Sequence, residues 1–298
     1  MALRDLFVRL VPLLFVLLWS TGFIGAKYAL PYIEPYYLLF IRALLTIAVF
    51  GALFLMMRPP LPTSRQALHQ MVVGFLIHAC YLGGVFAAIK WDLPAGVTAI
   101  VVGLQPLLTA LMGWQWLGER IHPVQWLGLV FGLLGVGVIL SSGVQSESFE
   151  LRPEALAAAL FALAGISLGT LYQKRFGAGV ALLSGALFQY LAMALAMAVL
   201  AFLFEERVVN WQWELGFALA WLVIGLSVTA ILLLMFMIRE GEMARVASYF
   251  YLVPPVTAIE AWVLFGEALS WLQMGAIVFT VLGVFLVLRK PKLSSREL

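Results

Sequence analysis

Residues 99–140, AIVVGLQPLLTALMGWQWLGERIHPVQWLGLVFGLLGVGVIL, recur 148 positions later as residues 247–288, ASYFYLVPPVTAIEAWVLFGEALSWLQMGAIVFTVLGVFLVL. Pro106, Thr109, Ala110, Trp114, Gly118, Glu119 and Gln125 reappear as Pro254, Thr257, Ala258, Trp262, Gly266, Glu267 and Gln273. The register continues without a gap through Val130, Phe131, Gly135, Val136 and Leu140, which match Val278, Phe279, Gly283, Val284 and Leu288. The chain is therefore an internal duplication. Each copy is an apolar run broken by a proline, a Gly-Glu corner, and a second apolar run rich in glycine.

At 64% hydrophobic and 11% charged residues over 298 positions, the chain has too little polar surface to cover a water-soluble globule. It must be solvated by lipid. Spanning the hydrocarbon takes about 20 apolar residues per helix, and ten such runs fit: 10–30, 36–57, 68–90, 95–117, 123–141, 155–174, 180–204, 215–238, 243–265 and 271–289. The first is read as an uncleaved helix, because no signal-peptidase site follows it. Cys80, alone in its run, reads as a small buried hydrophobe. The net charge of +3 comes from residues at run ends, which make no patch for nucleic acid.

The polar connection 143–154 divides the chain into a first repeat, residues 1–142, and a second, residues 155–290, followed by a tail, residues 291–298. With the N-terminus inside, thirteen Lys and Arg fall in cytoplasmic segments and four outside, which places both termini in the cytoplasm. Five helices per repeat is an odd number. The second copy then enters the bilayer upside down, and the expected fold is all-α integral membrane: ten transmembrane helices as two inverted five-helix repeats. Such halves suit alternating access.

Leu93-Pro94-Ala95-Gly96 opening the fourth helix, Leu117-Gly118-Glu119 closing it, and Phe265-Gly266-Glu267 closing the ninth resemble the EamA-type, ten-helix members of the drug/metabolite transporter superfamily. The resemblance runs from Leu18-Trp19-Ser20 to Leu288. The second copy departs from the opening motif, with Glu242-Met243-Ala244 in place of Pro94-Ala95-Gly96. Within that superfamily the chain looks like bacterial amino-acid exporters, and among these the YddG type of aromatic amino acid exporter. The resemblance implies a protein of the bacterial inner membrane that moves a small-molecule substrate and uses no cofactor.

Candidate site residues follow from polar or aromatic groups inside apolar runs. Trp19, His78, Tyr81, Gln105, Tyr172, Ser248, Tyr249 and Tyr251 are the expected substrate-binding set. They would offer flat aromatic surface and neutral hydrogen-bonding groups with little fixed charge, fitting a neutral, partly apolar solute. His78 and Tyr81, three apart, share a face of a helix. The alternative for each aromatic is packing or an interfacial belt, the reading taken for Tyr28, Tyr32, Tyr36, Tyr37, Trp211 and Trp213 at run ends.

Pro106, Pro254 and Pro255 would kink helices 4 and 9, freeing a carbonyl near Val102 or Phe250, either beside a hydrated, flexing cavity or as static bends. Arg42 and Glu260 are the charges clearly within apolar runs. Their alternatives are a structural pair, direct or through neighbours, an outer gate, or for Glu260 a proton-coupling carboxylate. Glu119 and Glu267, at unfavourable helix C-termini, are expected to cap amides of an adjacent helix.

The Gly128/Gly132/Gly135 ridge and its counterpart Ala276/Thr280/Gly283 bring backbones close, either helix 5 to helix 10 or two copies in a homodimer. No P-loop, metal-binding helix or nucleophile elbow is present, so neither an enzyme nor a metal or ATP-driven pump is expected. The reading is a secondary exporter of small metabolites, foremost aromatic or hydrophobic amino acids. A broader drug or metabolite exporter and a non-transporting membrane sensor are the alternatives.

Overall fold

A computed structural model describes residues 2–117, 122–145, 152–230, 233, 252–267 and 270–288. Its helices are α1 (Ala2–Ala29), α2 (Pro35–Met57), α3 (Ser64–Lys90), α4 (Ala95–Trp116), α5 (Pro123–Gln145), α6 (Pro153–Phe176), α7 (Leu182–Phe204), α8 (Trp213–Ala230), α9 (Val253–Phe265) and α10 (Trp271–Leu288). Seven stretches among the described residues are long and apolar enough to cross a membrane, and three apolar helical stretches are shorter. No strand occurs among the described residues; a single bridge pairs Ile33 with Val209.

The helix ends are set by local chemistry. Thr63 and Gln66 form a reciprocal capping box at the start of α3. Pro35 opens α2, where its missing N–H costs nothing. The next two amides, of Tyr36 and Tyr37, donate to the Glu205 carboxylate at 2.8 and 2.7 Å, so the loop after α7 caps α2.

Pro106 has the effect its position dictates. The α-helical geometry of α4 stops at Val102 and resumes at Gln105, with Leu104 N–H bonding tightly back to Val101 O across the break. Pro254 and Pro255 instead occupy the first turn of the described α9, a position that tolerates proline. The two proline sites meet: a Cβ on Gly103 would lie 2.7 Å from Pro254 Cγ.

The main packing pairs are α5 with α10, α2 with α7, α3 with α6 and α7, α1 with α8 and α9, and α4 with α6 and α9. The glycine ridges pack α5 and α10 on each other within one chain. A Cβ on Gly283 would meet the Gly132 amide nitrogen at 2.5 Å, and one on Gly135 the Ala276 carbonyl at 2.6 Å. Large apolar side chains on the outer faces, Leu133, Leu134, Leu272 and Phe285 among them, are exposed, as lipid-facing surface requires.

Among the described residues two more helices depart from α geometry. Residues Phe75–Tyr81 of α3 and Trp221–Ala230 of α8 are π-helical. These occupy matching places in the two halves, since 75 plus the repeat offset of 148 falls inside the second segment. Wide turns of this kind concentrate at functional sites, and both border the cavity described next.

Candidate functional site

The interior holds a small cavity, partly open to solvent, walled by Trp19, Phe23, Arg42, His78, Tyr81, Tyr190 and Ser227 with apolar neighbours. A second, smaller chamber shares Trp19, Phe23, Tyr81 and Ile166 with the first, and adds Gln105, Pro106, Val253 and Pro254. The chambers adjoin across Trp19 and Tyr81 and take walls from both halves of the chain. Trp19 packs against Phe15 with ring centroids 5.3 Å apart.

The structure thus brings Trp19, His78, Tyr81, Gln105, Pro106 and Pro254 around one pair of chambers. His78 and Tyr81 reach the same cavity from a π-helical turn, not from the α-helical spacing that suggested a shared face. Gln105 donates to Thr170 Oγ1 at 3.0 Å, and that hydroxyl donates to Ile166 O at 2.7 Å. Pro255 does not line either chamber.

Tyr172 lies elsewhere. Its hydroxyl is 2.8 Å from His69 Nδ1, and its ring packs on Phe176 at 4.7 Å, so it belongs to an aromatic cluster at the α3–α6 end and not to the cavity. Ser248, Tyr249 and Tyr251 lie outside the described residues, as does Glu119.

Residues on and behind the cavity wall form further hydrogen-bonded chains. Gln70 Oε1 accepts from Gln189 Nε2 at 2.7 Å, and Gln189 Oε1 lies 3.1 Å from His78 Nε2. The His78 ring stacks on Tyr190 at 4.6 Å and 22°. Tyr190 donates to Ser227 Oγ at 2.9 Å, Arg42 donates to the same oxygen at 3.2 Å, and Ser227 donates to Leu222 O. Gln189 and Tyr190 are polar interruptions of the apolar run 180–204, the same signal that marks Trp19, His78, Tyr81 and Gln105 in theirs.

Arg42 and Glu260 are not paired with each other. Arg42 turns to Ser227, whereas Glu260 Oε1 lies 2.8 Å from the Ser20 hydroxyl and its Oε2 is buried without a partner among the described residues. Arg42 also corrects the expectation of a wall with little fixed charge, since a guanidinium faces the first chamber. Among the described residues no group of three or more His, Cys, Asp or Glu side chains is placed to hold a metal ion.

A lipid-solvated helical bundle enclosing an aromatic, hydrogen-bonding cavity defines a polytopic membrane protein that handles a small molecule. The chain belongs to the EamA-like transporter family, whose model matches it twice, over residues 7–141 and 154–289. It is 29% identical to the uncharacterized inner membrane transporter YedA of Escherichia coli over 96% of this chain and 95% of that one. It is 26% identical to the uncharacterized transporter YvbV of Bacillus subtilis, covering 93% and 90%. A probable amino-acid metabolite efflux pump of Salmonella typhimurium is 25% identical, covering 92% of each chain. A protein of known crystal structure shares the fold with a TM-score of 0.62 at 23% identity, covering 94% of this chain and 95% of the other.

Proposed function

We propose that this chain is a secondary transporter of the bacterial inner membrane with both termini in the cytoplasm. It exports small metabolites, foremost aromatic or hydrophobic amino acids, by alternating access between two inverted five-helix repeats, residues 1–142 and 155–290. The observation that carries the reading is the paired cavity shared by the two halves, with Trp19 and Tyr81 between its chambers. Aromatic faces of this kind suit a flat apolar solute.

The packing pattern supports the two-fold relation. Adding five to each helix number turns α1 with α9 into α6 with α4, α3 with α6 into α8 with α1, and α2 with α7 into itself. Inverted repeats of this kind interconvert by rocking around a central site. Export of amino acids agrees with the name of the Salmonella relative. Trp19, His78, Tyr81 and Gln105 are the substrate-binding residues of this reading, with Ser248, Tyr249 and Tyr251 the expected contribution of residues beyond the described part. The break at Pro106, against Pro254, is its hinge, and Glu260 its coupling carboxylate.

Counterflow in liposomes containing the purified protein tests this. Vesicles loaded with phenylalanine, tryptophan or leucine should exchange label across the membrane, and a panel without exchange removes the exporter reading. A pH gradient should accelerate net release; indifference to it retires Glu260 as the coupling group.

A further inference from the structure

Arg42, in the apolar helix α2, is 4% exposed and faces the first chamber. A buried charge is stable only when paired or well hydrogen-bonded. Arg42 receives little of either. Its N–H groups meet only neutral partners, Ser227 Oγ and the Tyr190 phenol, and Nε is buried without a partner among the described residues. Ser227 can relieve no more of the charge, since its oxygen already takes the Tyr190 proton and its own proton goes to Leu222 O.

No carboxylate answers Arg42 among the described residues. The ion pairs there join Lys27 to Glu267 and Arg152 to Asp92, and Glu260 accepts from Ser20. The polar groups sharing the chamber wall with Arg42 are phenol, hydroxyl, imidazole and indole, none of them anionic, and the rest of the wall is apolar.

We propose that Arg42 is the carboxylate-recognition residue of the cavity, so that a transported molecule carries an anionic carboxylate at one end and an apolar or aromatic group at the other. The planar guanidinium fork accepts a carboxylate through two parallel N–H bonds, a match a lysine ammonium does not reproduce. Trp19, Phe23 and Tyr81 then receive the apolar end, toward the second chamber. The carboxylate completes the hydrogen bonding of a charge that the protein leaves open. This inference rests on the transport reading for its biological use and on Arg42 alone for its chemistry.

Ligand-induced thermal stabilisation of the purified protein, read without any transport, tests it. Phenylalanine, tryptophan and leucine are titrated against phenylalaninamide, tryptophanamide and leucinamide, which differ from them in lacking the carboxylate. At least one acid should bind about tenfold or more tightly than its amide, the loss expected for a charge-assisted hydrogen bond. R42Q should abolish that preference, and R42K should retain only part of it. Acid and amide binding within twofold of each other, or no stabilisation by any acid, overturns the proposal, as does a tenfold preference that survives in R42Q. If the variants do not fold, the acid–amide comparison in the unaltered protein decides. Carboxylate-dependent binding without counterflow sustains the role of Arg42 and removes the exporter reading instead.

Discussion

Lys27, near the end of α1, is ion-paired with Glu267, just beyond the end of α9. The same carboxylate accepts from the amides of Ala95 at 3.2 Å and Gly96 at 3.4 Å, the first two N–H groups of α4. One acidic side chain thus ties α1, α4 and α9 together at a single end of the bundle. This is the capping role expected of the repeated Gly-Glu corner.

Glu267→Ala should lower stability by about 1–2 kcal/mol, the loss of a helix N-cap, seen as a reduced thermal midpoint in detergent. Lys27→Met should cost less, because the lysine side chain is one-third exposed at 33% and solvent screens its pairing. Equal losses from both would show that the ion pair, and not the cap, holds the corner.

Gly74 and Gly51 make a matched test of the helix packing. A Cβ on Gly74 would lie 2.2 Å from Gln189 O, a backbone atom that cannot turn aside, whereas a Cβ on Gly51 meets nothing within 4 Å. Gly74→Ala should force α3 and α7 apart and sharply reduce the yield of folded protein. Gly51→Ala should be neutral or stabilise by up to about 1 kcal/mol, since alanine is the better helix former. Thermal unfolding and size-exclusion profiles distinguish the two.

The chain of bonds from Gln70 through Gln189 to His78 is buried polar chemistry with both ends dependent on its middle. Gln189→Leu strands Gln70 and His78 at once and should cost about 1–3 kcal/mol. The Gln70→Leu, Gln189→Leu double variant should lose less than the sum of the single changes. Additive losses in a double-mutant cycle would mean the groups are not coupled.

Glu205, in the loop that caps α2, has its carboxyl pKa raised, chiefly by burial and against the opposing pull of the Tyr36 and Tyr37 amides. The folded state therefore holds this proton more tightly than the unfolded chain does. Its contribution to stability is present at and below the ordinary carboxylate range and declines as pH rises through the raised value. Glu205→Gln removes that decline, so the thermal midpoint of the variant minus that of the unaltered protein should increase with pH across this window. A difference flat or falling with pH refutes the assignment.

Much of the scaffold was legible because it depends on composition and on repeated small residues. The apolar runs mark the helices, Pro106 marks the break in α4, and the glycine ridges mark the α5–α10 contact. The cavity wall was legible in part, since a Trp, His or Tyr in an apolar run signals an interior surface. Which face a side chain occupies is not written in its type, and Tyr172 therefore went to the cluster with His69 and Phe176. The partners of Arg42 were equally hidden, because Ser227 lies 185 residues away. The π-helical turns leave no compositional trace, as they change backbone bonding and not residue preference.

Those turns have a consequence for how such a chain diversifies. A π turn accommodates one residue more than the surrounding α-helix needs, closing i→i+5 bonds where the helix would close i→i+4. In α3 and α8 that surplus falls beside the cavity. Deleting a single residue there would turn a new set of side chains toward the chamber while the distant ends of the helix kept their neighbours. The lining of the chamber is thus open to revision by the loss of one residue from either turn.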